Sequence, residues 1–369
     1  MSTPTHRNGA IDVLRGLSIL LVIVHHLALP FRLPLGPSEL GPLLGRRLVN
    51  ALSYNGYAAV YVFFVISGFL IASRVIERYS RFGAIDARRF YVQRAARILP
   101  LLLALLAMLT VMHLLGVPGF VIERPGQSLG GALFSAIGLH LNWYEGRTGW
   151  LPGNWDVLWS LSIEEVFYLA FPLACLWLPR PLLLLALAAL VASLPWTRAA
   201  LDGMEIWQEK AYLPAFSAIA LGVLAAELRH ATCPSRGFAR CLLALGAATL
   251  AAAMLCAPEL WRATGHASLL VIAAAAAAIL LGASWSAAGA PRGLGWLARM
   301  GRLSYELYLT HMFVVLATVA LWRAWLGSGH ALNPIAYPLA IIGCVLLAGL
   351  IERRFTGPTD RWLRTRLSG

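Results

Sequence analysis

Apolar runs long enough to cross a bilayer recur along the whole of this 369-residue chain, separated by short loops rich in Arg, Pro and Gly. A hydrocarbon layer of roughly 30 Å requires about 20 apolar residues of helix, and backbone inside it must satisfy its own hydrogen bonds. The pattern predicts an all-α integral membrane protein, a bundle of about ten transmembrane helices. Spans are expected near 12–31, 56–76, 98–117, 157–178, 181–195, 213–228, 241–257, 267–288, 303–322 and 334–351. Ten-residue segments of alternating polarity, the mark of a membrane barrel, are not seen. Composition agrees: 59% of residues are hydrophobic and 13% charged, more apolar side chain than one soluble core of this length can hide. With no internal repeat or soluble domain, residues 1–369 read as a single membrane-embedded domain, of which 351–369 form a basic tail.

The net charge of +13 would suggest nucleic acid in a soluble protein, but here the arginines gather in particular loops. Loop 77–97 carries Arg78, Arg81, Arg88, Arg89, Arg94 and Arg97, while loops 229–240 and 289–302 carry three arginines each. The tail adds Arg353, Arg354, Arg361, Arg364 and Arg366. Basic loops face the cytoplasm. All of them do so if there are ten crossings, both termini are cytoplasmic and residues 129–142 do not cross. Residues 118–156 then form a re-entrant or surface segment on the outer face. The first apolar run follows Arg7 but contains Arg15, His25 and His26 and lacks a small-residue cleavage site, so it is expected to stay as the first helix. These features predict a multi-pass membrane protein, with lipids as neighbours and no nucleic-acid partner. Five scattered cysteines lack metal-ligand or redox spacing and read as packing residues.

An ionisable side chain inside a span is costly enough to mark function. Arg15 and His26 are eleven residues apart, three turns plus about 20°, and share one face at about 16 Å separation. Taken singly, Arg15 can snorkel to inner-leaflet phosphates, and His26 or His25 can be an interhelical hydrogen-bonding residue. The fourth span opens with Ser160, Ser162, Glu164 and Glu165, and either acid suits a helix N-terminus. Glu164 shares a face with Tyr168 that Glu165 does not, so Glu164 is expected to point inward. In the ninth span Ser304, Tyr308 and His311 fall on one stripe, while Tyr305 fits an interfacial anchor.

Five segments in this order resemble the acyltransferase-3 family of bacterial membrane acyltransferases. They are Arg15 with His26, residues 63–69 (FFVISGF), 94–100 (RAARILP), 159–168 (WSLSIEEVFY) and 304–311 (SYELYLTH). The resemblance covers nearly the whole chain. It implies a ten-helix domain that moves an acyl group, commonly acetyl from cytoplasmic acetyl-CoA, to a hydroxyl of a glycan or other acceptor. It also implies functional roles for Arg15, His26 and Glu164. Two positions depart from the family pattern: Tyr61 stands where many relatives have an acid, and Val166 where they have a glutamine. Some relatives carry a further extracellular hydrolase-like domain. Here the chain ends about eighteen residues after its last span, so the domain is expected to finish the transfer itself or to hand the acyl group to a separate protein.

Acyl transfer to a hydroxyl needs a base, a positioned thioester and donors for the developing oxyanion. His26 is the expected base, acting directly or through an acyl-enzyme step, with Glu164 orienting the imidazole or the sugar. Both are expected in the outer half. Arg94 and Arg97, assisted by Arg15, are expected to hold the phosphates of acyl-CoA, although positive-inside anchoring accounts for them equally well. Ser162, Tyr168, Ser304, Tyr308 and His311 are supporting candidates, and no metal site is expected. The acceptor reads as a surface or exopolysaccharide glycan or its lipid-linked precursor. A lipid or small secondary metabolite as acceptor, and a glycolipid flippase, remain the alternatives.

Overall fold

Asn8 sets the first helix: its Oδ1 accepts from the backbone N–H of Ala10 and Ile11, and α1 runs from there over Gly9–Phe31. The computed structural model describes residues 8–31, 44–327 and 332–367, and among these every regular element is helical. Arg7, residues 368–369 of the basic tail and the side chain of Arg364 fall outside that description. After α1 come α2 (Arg46–Tyr54), α3 (Gly56–Tyr79) and α4 (Ala87–Leu114). Three short helices follow, α5 (Leu129–Ile137), α6 (Leu141–Thr148) and α7 (Gly153–Asp156), and then α8 (Leu158–Trp177), α9 (Arg180–Ala192) and α10 (Leu194–Ala199). The second half holds α11 (Glu205–Lys210), α12 (Tyr212–Ala231), α13 (Arg236–Leu255), α14 (Ala257–Thr264) and α15 (Ser268–Trp285). It ends with α16 (Gly295–Arg302), α17 (Ser304–Leu326), α18 (Asn333–Ile351), a π-turn at Glu352–Thr356 and α19 (Gly357–Leu367).

Among the described residues nine helical stretches are long and apolar enough to cross a membrane. The fifth expected span, 181–195, differs. Its helix α9 has thirteen residues, about 20 Å of rise, and breaks at Ser193 before α10 resumes with Pro195 in its first turn. The pair still covers the depth of α3. Arg180 pairs with Glu227 beside the Arg229–Glu77 ion pair at one end, and Arg198 donates to Tyr57 (2.6 Å) at the other. A second difference is α4, which begins eleven residues before the expected span. Asp86 caps it by accepting from the N–H of Arg89 (2.9 Å), so Arg94 and Arg97 lie within a helix rather than a loop. Their charge hides the helical period from a hydropathy reading.

Residues 118–156 contain only short helices, as expected of a segment that does not cross. It is clasped by the fully buried Lys210, whose Nζ donates to Glu145 (2.8 Å) and to Asp156 while lying 4.1 Å from the centre of the Trp150 ring. Asn142 donates to the carbonyl of Lys210 (3.0 Å), closing the clasp from the backbone side. The outward faces of the long helices carry Leu185, Leu321 and Leu346 at 66, 62 and 68% exposure, a surface suited to lipid.

Bare backbone makes the closest helix contacts. A Cβ on Gly16 would stand 1.9 Å from the Leu297 carbonyl oxygen, and one on Gly301 would stand 1.8 Å from that of Asp12, so α1 and α16 touch main chain to main chain. Gly68 and Gly222 do the same for α3 and α12. Asn8 donates to the Ala283 carbonyl and Thr356 to Glu306, both at 2.8 Å, while Trp285 donates to the carbonyls of Arg229 and Thr232. Both ends of the described chain therefore lie at the end of the bundle that carries the arginine-rich loops.

Candidate active site

Five helices converge on a cavity of about 140 Å³. From α1 comes Arg15; from α3, Phe63, Phe64, Ser67 and Arg74; from α4, Arg94 and Arg97; from α8, Ser160, Glu164 and Tyr168; from α17, Ser304, Tyr305 and Tyr308. The spacings follow from helix geometry: Ser160, Glu164 and Tyr168 repeat at four, and Ser67 with Arg74 at seven, so each helix shows the cavity one polar stripe. Four guanidiniums face one lining carboxylate, so the cavity favours an anionic ligand.

The arginines are braced. An Arg94 N–H donates to Glu165 (2.5 Å), and its guanidinium lies 3.9 Å from the centre of the Tyr168 ring. Glu165 thus holds Arg94 from behind while Glu164 lines the space itself, the division of roles expected from their faces. An Arg15 N–H donates to Ser304 Oγ (2.6 Å), tying α1 to α17. The hydroxyls of Ser67 and Tyr168 are hydrogen-bonded to each other, as are those of Ser160 and Tyr308, the latter at 2.6 Å.

His26 does not line this cavity. It packs against His311 with ring centroids 5.3 Å apart, and His311 in turn lies 6.0 Å from the Tyr308 ring. Tyr308, which lines the arginine cavity, therefore stands between it and the two imidazoles. Neighbouring His25 faces elsewhere, with Nδ1 3.1 Å from the Ser53 carbonyl oxygen. Of the expected residues, Arg15, Arg94, Arg97, Glu164, Tyr168, Ser304 and Tyr308 meet in the cavity, and His26 and His311 meet beside it.

Two expectations need correction. Glu164 does not accompany His26 in an outer tier; it shares the cavity with Arg15 and Arg94, because its face of α8 turns toward α3 and α4. Ser162 lies outside the site: its Oγ accepts from the Leu141 N–H (3.3 Å) and joins α6 to α8. Sequence reasoning missed Arg74, Ser67 and Ser160 as lining groups. Arg74 follows Ser67 of the FFVISGF segment by two turns, and Ser160 precedes Glu164 by one, so each shares a helical stripe with a residue of a segment already marked. Lys210 is the only lysine of the chain, but nothing local announces its distant partners Glu145 and Asp156.

The acyltransferase domain family matches residues 8–353. Similar proteins include the O-acetyltransferase OatA of Staphylococcus aureus (strain NCTC 8325 / PS 47), 30% identical over 185 residues that cover 47% of this chain and 25% of OatA. A putative O-acetyltransferase, SACOL0978 of Staphylococcus aureus (strain COL), is 30% identical over 166 residues, covering 44% of this chain and 24% of that protein. The matched region spans about a quarter of the length of these curated relatives. No solved structure matches the chain.

Proposed function

The chain belongs to the acyltransferase-3 family, and from that premise we propose that it is a membrane O-acyltransferase that moves an acetyl group from cytoplasmic acyl-CoA to a hydroxyl of a surface glycan or its lipid-linked precursor. The observation that carries the reading is the arginine-lined cavity, separated by one tyrosine from a pair of imidazoles. The relatives' names, O-acetyltransferases, support acetyl as the group moved. The arginine-rich end of the bundle is assigned to the cytoplasm by the positive-inside rule, which puts both termini there in a bacterial inner membrane.

In this reading Arg94 and Arg97 hold phosphates of the donor, and the bracing of Arg94 by Glu165 and Tyr168 lowers the entropy cost of presenting it. The arm then passes Arg15 toward Ser160 and Tyr308; one of these hydroxyls donates to the other, and the second keeps its proton for the oxyanion that forms on the thioester carbonyl. His26 takes the proton of the acceptor hydroxyl as its oxygen attacks that carbonyl. The carbon–sulfur bond breaks, and the CoA thiolate leaves with the proton returned by the imidazolium. Glu164 balances the charge of Arg15 and Arg94 and offers the acceptor or the arm a hydrogen bond.

The test is purified protein with radiolabelled acetyl-CoA and candidate glycan acceptors. Acceptor-dependent release of free CoA, with label on the glycan, is the expected result. Binding of a glycolipid and its translocation without CoA release would overturn the proposal.

A further inference from the structure

His311 is fully buried, and its two ring nitrogens are in unlike settings. Nδ1 lies 2.8 Å from the Tyr308 carbonyl oxygen and 3.0 Å from that of Leu307. Two acceptors at that distance require Nδ1 to carry the proton, so Nε2 holds a lone pair. Yet Nε2 has no hydrogen-bond partner among the described residues. A buried acceptor left empty is uncommon and destabilising. The neighbour able to fill it is His26, which makes no hydrogen bond among the described residues. Ring nitrogens aimed at each other across a centroid separation of 5.3 Å stand about 3 Å apart, an ordinary hydrogen-bond length.

We infer that His311 is the positioning residue for His26: its Nε2 accepts one N–H of the His26 imidazole and thereby fixes the tautomer that leaves the other His26 nitrogen free to take the acceptor proton. The role often filled by a carboxylate behind a catalytic histidine is filled here by a neutral imidazole anchored to its own helix. That choice avoids a bare negative charge at membrane depth, where Glu164 is already committed to the arginine cavity. A rotation of the His26 ring that aims one nitrogen at Nε2 makes the bond, and it also turns the free nitrogen to a fixed direction. The inference rests on His26 as the base.

Two substitutions separate positioning from packing. His311→Gln keeps an acceptor near the Nε2 position, whereas His311→Leu keeps the bulk and removes the acceptor. If His311 only fills space, Leu is tolerated as well as or better than Gln, since it removes an unsatisfied polar group. If it positions His26, kcat falls on the order of 10²-fold in His311→Leu and is partly restored in His311→Gln. The KM for acyl-CoA stays near wild type in both, and the melting temperature of the Leu variant in detergent is unchanged or higher. Activity and stability moving in opposite directions is the signature. Full turnover in His311→Leu, with His26→Ala inactive, would overturn the inference and leave the base assignment standing. Full turnover in His26→Ala would overturn the base assignment itself.

Discussion

Replacing His26 by Ala removes the proposed base while deleting no hydrogen bond seen among the described residues. We expect acyl transfer to fall at least about 10²-fold, with membrane insertion and yield unchanged. His25→Ala, in contrast, removes the contact with the Ser53 carbonyl and vacates space beside Gly56. Its expected effect is a stability loss of about 1 kcal/mol and turnover within a few-fold of wild type. Comparing the two kcat values checks both statements. At the donor end, Arg97→Ala should raise KM for acyl-CoA more than it lowers kcat, because contacts remote from the reacting carbon contribute mainly uniform binding. A short acyl-pantetheine donor should be insensitive to the same change, and equal damage to both donors would mark Arg97 as an anchor. Arg94→Ala is a less clean probe, since it also strands Glu165, and a lowered melting temperature should accompany its raised KM.

Helices that meet through glycine respond to a single methyl. Gly301→Ala brings a Cβ to 1.8 Å from the Asp12 carbonyl oxygen, so α1 and α16 must separate, at a cost of about 1–3 kcal/mol. Gly289→Ala, with nothing within 4 Å, is the matched control and should leave the melting temperature unchanged. The Lys210 clasp is the other element-scale joint. Lys210→Met leaves Glu145 buried without its cation and should lower stability by about 3–5 kcal/mol in thermal unfolding, loosening residues 118–156 to limited proteolysis. Most helices were legible because lipid demands long apolar runs. The exceptions have local causes: the arginines of α4 mask its first turns, and Ser193 with Pro195 divides the run that becomes α9 and α10. Clasps such as that of Lys210 join residues 54 or more positions apart, a distance no period reports.

For the whole molecule, whether α9 and α10 together make a crossing decides whether the two ends of the chain share a side. A reporter active only in the cytoplasm should work when fused after residue 235 or at the C-terminus and fail near residue 205. Activity at 205 together with silence at 235 would reverse the orientation. Which residues gather at the site was partly visible in sequence, since Arg15, Glu164 and Tyr308 lie on polar stripes of otherwise apolar helices, whereas Arg94 and Arg97 read as part of a basic loop. What a stripe cannot convey is depth relative to another helix. Glu164 and His26 were therefore expected as one tier, although α8 brings the carboxylate to Arg94 and α1 carries the imidazole beyond Tyr308.

Depth is also where Gly16 and Gly301 matter most. They lock α1 against α16, and α16 leads through Leu303 into α17, so their contact indexes the helix bearing His26 against the helix bearing His311. A slip of one residue along α1 would shift His26 by about 1.5 Å and swing it about 100° away from its neighbour. Two residues without side chains thus act as the key in a lock barrel, setting the alignment of a pair of rings roughly 15 Å farther along the helix.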